Sequence, residues 1–185
     1  MEKQALFDRL ISEACRLGAD HAAVIDAARI RTDSLFRELC AANACGMYGK
    51  CYMCPPDIGE IEALMAEVHR YDHALVYQRI GVLEDSFDVE GMMEAKTAHR
   101  ALAQSLRPLF AQEKMTNVLH LGCGGCGLCR PCAKVKGEPC LHPELAMSSL
   151  EAYGIDVAHL AALAGMKYIN GADTVTYFGA VLFTL

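Results

Sequence analysis

Ten cysteines occur in this chain of 185 residues; four lie between Cys40 and Cys54, five between Cys123 and Cys140, and Cys15 stands alone. Thiols grouped at such short spacings hold metals or carry redox chemistry. The second run reads Gly122-Cys123-Gly124-Gly125-Cys126-Gly127-Leu128-Cys129-Arg130-Pro131-Cys132, with Cys140 eight positions beyond. Repeated C-x2-C steps are the signature of a [4Fe–4S] cluster. The short loop curls round the cubane and gives thiolates to three irons, and a fourth thiolate comes from further along the chain. The interspersed glycines let the backbone approach a cluster and adopt positive φ. They also leave amide hydrogens free to bond the cluster sulfurs, which tunes the potential. Zinc is the alternative. Its usual sites pair two C-x2-C knuckles about 12–20 residues apart, and consecutive x2 steps fit that pattern poorly.

The first run places Cys40, Cys45, Cys51 and Cys54 at C-x4-C-x5-C-x2-C spacing. Cys54-Pro55 matches the cysteine–proline ending of bacterial ferredoxin motifs. A proline there turns the chain away and removes one amide donor. Four thiolates fill either a cubane or a zinc tetrahedron, so this run alone leaves the metal open. In the second run five cysteines compete for four places. Spacing permits a clasp of Cys123, Cys126 and Cys129 or one of Cys126, Cys129 and Cys132. Pro131 just before Cys132, and Gly137 between Cys132 and Cys140, favour the later register. A ferredoxin-like crossover, in which one cysteine serves the other cluster, is a further possibility.

Other residues have plainer readings. His142 could ligate a metal, but more often such a residue caps a helix or faces solvent. Tyr48, Tyr52 and Tyr77 could flank a cluster, although core packing is the commoner role. Cys15 reads as a buried, inert thiol. Nine methionines read as core filler. No glycine-rich dinucleotide fingerprint, P-loop or serine nucleophile motif is present.

The residues also resemble a known family. Cys40-x4-Cys45-Gly46-x-Tyr48-Gly49, Cys54-Pro55-Pro56, Cys126-x2-Cys129-x2-Cys132 and Cys140-x-His142-Pro143 look like the DUF2284 pattern. So do Ser149-x-Glu151-Ala152-x-Gly154-Ile155-Asp156-Val157, Tyr168-x-Asn170-Gly171 and Thr174-Val175-Thr176-Tyr177-Phe178-Gly179. Members are described as predicted metal-binding proteins. The resemblance implies seven pattern cysteines, namely Cys40, Cys45, Cys54, Cys126, Cys129, Cys132 and Cys140. It leaves Cys51 and Cys123 outside the pattern, and it implies no established activity.

These loops need a scaffold. Residues 2–17 carry an apolar helical face of Leu6, Phe7, Leu10, Ile11, Ala14 and Leu17, with Gly18 as a stop. His21–Ile30 reads as a strand, and Thr32 or Asp33 can cap a short helix that delivers Cys40. Asp57 and Glu60 make a capping-box arrangement for a helix reaching about His69. Ala74–Ile80 reads as a strand, 89–112 as a long helix broken or bent near Pro108, and Asn117–Leu121 as a short strand. Pro143 can open a helix ending near Gly154, and Asp156 can cap the next, which stops near Gly165. Thr174–Phe183 reads as a central strand buried on both faces. The expected fold is α/β or α+β: a single layered iron–sulfur domain over residues 1–185. Its mixed sheet of about four to five strands would carry flanking helices and two cysteine-rich metal loops.

Composition limits the function. The net charge of −6 lacks the basic surplus of a nucleic-acid binder, although Arg130, Lys134 and Lys136 sit among the cysteines. No stretch approaches the roughly 18 apolar residues of a membrane span. The amphipathic N-terminus has no signal-peptide core, so a cytoplasmic location with reduced thiols is expected, and disulfides are not. The expected function is electron transfer or redox accessory work with two [4Fe–4S] clusters and a redox partner protein. Cys40, Cys45, Cys51, Cys54, Cys126, Cys129, Cys132 and Cys140 are the expected ligands. The alternatives are a reductive or ligand-binding enzyme with an open iron site, and a zinc-bearing structural or interaction module.

Overall fold

Four strands form one sheet in the order β1-β2-β4-β3, with β1 His21–Asp26, β2 His73–Val82, β3 Val118–Leu121 and β4 Thr174–Phe183. The computed structural model describes residues 2–113, 115 and 117–185. Every strand pairing is antiparallel, so the sheet is not the mixed one expected. The chain is otherwise the α+β form of the expected layered domain, with five α-helices among the described residues. β2 and β4 are the two inner strands, aligned over ten residues from His73↔Phe183 to Val82↔Thr174. Their apolar content follows from that position, since both faces of an inner strand are covered.

Alternate residues of these strands feed two cores. Helices α1 (Glu2–Arg16) and α4 (Val89–Gln112) cover one face. There Leu10 and Ala14 of α1 and Leu102, Leu106 and Phe110 of α4 pack on Leu75, Tyr77, Val181 and Phe183. Helices α3 (Ile61–Val68) and α5 (Val157–Leu163) lie on the other face. Val68, Leu160 and Ala161 meet Ala74, Val76, Ala180 and Leu182, with Leu150 and Ile155 completing that core. Among the described residues no helix is long and apolar enough to cross a membrane.

Several local expectations are corrected. The first strand ends at Asp26, whose carboxylate accepts from the Ala28 amide and starts a 3-10 turn over Ala27–Arg29. Asp57 caps no helix: α3 begins at Ile61 behind Glu60, and the Asp57 carboxylate is paired with Lys134 instead. Pro108 does not break α4, which continues to Gln112. Leu106, Leu109 and Phe110 on either side of it are buried, and their packing offsets the lost backbone bond. No α-helix follows Pro143; the only regular element before Gly154 is a 3-10 turn at Glu151–Tyr153. Asp156 does cap α5, accepting from the His159 amide at 2.9 Å. Cys15 is exposed, where a buried thiol was expected. It lies one helical step, about 100°, round from the buried Ala14.

Candidate metal centre

Helix α2 (Leu35–Ala41) carries Cys40 in its last turn. The Asp33 carboxylate starts that helix by accepting from the Leu35 amide at 2.9 Å. Beyond it the chain turns tightly. Asn43 sits at φ 57, and its side-chain oxygen accepts from the Tyr48 amide at 3.0 Å. Gly46 and Gly49 take φ of 73 and 68, and the Gly49 amide reaches the Pro55 carbonyl at 2.9 Å. These turns fold Cys45 and Cys54 back toward Cys40. The three line one cavity of about 240 Å³ together with Phe36, Tyr48 and Glu151. Partial burial raises the Cys40 thiol pKa, and the Glu151 carboxylate adds to the rise.

The second run leaves β3 at a fixed point. Gly122 bridges to Ser149, with its amide on the Ser148 carbonyl at 2.9 Å and its carbonyl accepting from Leu150 at 3.0 Å. Gly124 and Gly127 take φ of 60 and 64, which an L side chain rarely adopts. After Cys132 a 3-10 turn, Ala133–Lys136, ends at Gly137 and returns the chain to Cys140. Cys126, Cys129, Cys132 and Cys140 line one narrow cavity of about 20 Å³, joined there by Cys51 and His142. His142 is otherwise exposed, and its carbonyl accepts from the Leu145 and Ala146 amides.

The two loops are latched together. Tyr52 donates its hydroxyl to the Glu138 carbonyl at 2.8 Å, Lys134 pairs with Asp57, and the Lys134 ammonium lies 5.3 Å from the Tyr52 ring centroid. Helix α4 holds the returning segment from behind. Gln104 donates to the Leu145 carbonyl at 2.9 Å and Arg107 to the Glu144 carbonyl at 2.7 Å.

Cys51 lies at the seam. It is 2% exposed and, although it belongs to the first run, it lines the cavity of the second. Hydrogen bonding from Cys54 chiefly lowers its thiol pKa, helped by the Cys126 and Met53 amides and by Cys132. The same bond, with burial, raises that of Cys54. Cys123 lies elsewhere. Its sulfur is 3.4 Å from Nδ1 of the buried His99, and burial pushes its thiol up to about 11. It lines neither of the two cysteine cavities. All ten cysteines are free. Among the described residues no three His, Cys, Asp or Glu side chains come close enough to hold a single ion; the thiols line cavities instead of meeting at a point.

Residue pattern thus located both runs, but it missed Glu151 at the first cavity and Lys96 and Arg100 beside the second loop. Glu151 lies inside the pattern segment already singled out. Lys96 and Arg100 are four apart on α4, a spacing that alone marks one helix face.

A family model described as "Predicted metal-binding protein (DUF2284)" matches residues 23–183. The chain belongs to the DUF2284 family. The match runs from within β1 to the end of β4 and takes in both cysteine loops, and predicted metal binding is the property described for the family. No curated protein and no solved structure matches the chain.

Proposed function

We propose that this DUF2284 chain is an iron–sulfur protein that carries two [4Fe–4S] clusters and acts in electron transfer or as a redox accessory protein. The observation that carries this reading is the convergence of the two cysteine runs, where buried Cys51 meets Cys54 of its own run and Cys132 of the other. Cys40, Cys45 and Cys54 would hold one cluster, and Cys126, Cys129, Cys132 and Cys140 the other, with Cys51 between them. A bound cluster supplies a one-electron couple whose potential depends on burial and on hydrogen bonds to its sulfurs. The chain's contribution is the cup. Cys51 and Cys54 are buried, glycines at positive φ keep the backbone close, and the latch of Tyr52, Asp57, Lys134 and Glu138 holds one loop against the other. A cytoplasmic setting would keep the thiols reduced. A redox partner protein would take or give the electron, and the whole of 1–185 would act as one iron–sulfur domain.

One observation favours a second reading. The first cavity is lined by three thiols, while the fourth cysteine of that run lines the second. An iron lacking a fourth thiolate would be free to polarise a bound ligand as a Lewis acid, which would make the protein an enzyme. The deciding experiment is anaerobic expression with iron supplied, followed by assays for iron, zinc and acid-labile sulfide. The expected result is brown protein with matching iron and sulfide. Colourless protein holding stoichiometric zinc would establish the zinc module instead. Zinc found only after purification in air would not, because thiolates that lose iron bind zinc well.

A further inference from the structure

Between the two cysteine loops and α4 lies an open cleft of about 350 Å³. Cys45 of the first run and Cys129 and Cys132 of the second line it, together with Lys50, Lys96, Arg100 and Arg130. No carboxylate lines it. In a chain of net charge −6, four cations on one cleft with no acid among them is an unexpected concentration. Among the described residues, none of the four side chains takes part in an ion pair. Among the described residues only Arg9, Arg16 and Lys134 pair with a carboxylate, so what marks the cleft is its four cations together with no acid.

Lys96 and Arg100 are half-buried and pressed onto the glycine loop. A Cβ on Gly124 would come within 2.6 Å of Lys96 Nζ, and one on Gly127 within 2.4 Å of Arg100 Nη2. The positive φ is what requires glycine at both positions, and the two charged heads lie directly over that backbone. Holding like charges together, partly desolvated and with no carboxylate beside them, is unfavourable, and a bound anion relieves it. An arginine fork beside a lysine point charge is the donor set that recognises carboxylate and phosphate oxygens.

We propose that this cleft is an oxyanion-binding site, which receives the carboxylate or phosphate group of a small ligand beside the sulfurs of Cys45, Cys129 and Cys132. The site stands on charge and shape alone and is independent of which metal the thiols hold. If the iron–sulfur reading is right, an anionic substrate or effector would be held next to the clusters.

The test is calorimetric titration of the anaerobically purified chain with inorganic phosphate and, separately, with succinate, at constant ionic strength set by sodium chloride. Saturable binding of either probe is expected, and the probe that binds tells which oxyanion the site takes. Lys96→Gln/Arg100→Gln should weaken it at least about tenfold, while Arg29→Gln, away from the cleft, should leave it unchanged. Lys50→Gln/Arg130→Gln, at exposed positions, should also weaken binding, and it keeps the test open if the first pair fails to fold. Absence of saturable binding, or equal affinity in the folded cleft variants, would overturn the proposal. So would a loss of metal in Lys96→Gln/Arg100→Gln with no change in anion affinity, since the cations would then serve only to balance thiolate charge. Stoichiometric zinc without iron or sulfide after anaerobic expression with iron supplied, in protein that still binds phosphate, would overturn the iron–sulfur reading and leave the oxyanion site standing.

Discussion

Cys123 and Cys126 are three residues apart on one loop, yet they face different neighbours. Cys126 lines the cavity shared with Cys129, Cys132 and Cys140; burial raises its thiol pKa, and the Leu128 and Met147 amides offset part of that rise. Cys123 is turned to the imidazole of His99, where burial keeps it a protonated thiol at neutral pH. Cys123 stands outside the cavity that the other four cysteines of its run share, so it is the more poorly placed donor. Cys123→Ala is therefore expected to keep the full iron and sulfide content. Cys126→Ala and Cys140→Ala should each lose about half of it, one cluster of two. Cys51→Ser tests the seam, because its sulfur faces both Cys54 and Cys132. Retention of all iron would leave the first cavity with three thiolates and favour the open-iron reading. Iron analysis with electron paramagnetic resonance of the reduced variants reads all four. Loss of a cluster in Cys123→Ala would show that the earlier register of the clasp is the true one.

At the scale of elements, the inner strand pair is closed by a glycine under an aromatic ring. Gly179 of β4 lies opposite Tyr77 of β2, and a Cβ there would come within 2.2 Å of the tyrosine oxygen. The ring cannot move aside. It is fully buried, stacked on His99 at 5.4 Å between centroids, and its hydroxyl is 2.8 Å from His120 Nε2. Gly179→Ala should thus destabilise the fold by about 1–3 kcal/mol, the usual cost of overpacking a tight core. A urea-denaturation midpoint equal to wild type would refute the argument. Elements with a local cause were legible in sequence: the apolar face of α1, the long run of α4, the cap at Asp156 and the doubly buried β4. Elements whose cause lies elsewhere in the chain were not. Asp57 has the right spacing for a capping box, but its charge is taken by a lysine 77 residues away. Pro143 is a fair helix opener, but Arg107 and Gln104 of α4 take the carbonyls of Glu144, Leu145 and Ala146, and the segment stays irregular. The antiparallel order of the sheet likewise rests on pairings between distant segments. The cysteine runs were fully readable, since spacing is a local property. The side of the seam that Cys51 faces is set by tertiary packing, and the sequence carries no sign of it.

For the whole molecule, burial divides the chain into two kinds of structure. The sheet has a packed core on each face, and Ala74–Gln78 and Ala180–Phe183 are fully buried. The cysteine segments have almost none. Between 42 and 60 only Cys51, Cys54 and Pro55 are buried, and between 123 and 146 only Ala133. Their regular structure amounts to one 3-10 turn. Apolar burial is the main favourable term in folding, so these segments lack the means to order themselves. The latch between Lys134 and Asp57 adds little, because an ion pair near the surface contributes about 0–1 kcal/mol. Where a core is missing, binding free energy of a metal becomes ordering free energy. Stripping the metal with a chelator under anaerobic, reducing conditions should therefore leave the sheet intact and release the loops. In hydrogen-exchange mass spectrometry, peptides covering 42–60 and 123–146 should lose protection, while those covering 74–78 and 180–183 keep it. Far-ultraviolet circular dichroism should change little, because all five helices lie outside the two segments. Uniform loss of protection across the chain would show that the metal supports the entire fold. Unchanged protection in the loops would show that they are ordered without it, and that the cysteines are not what holds them.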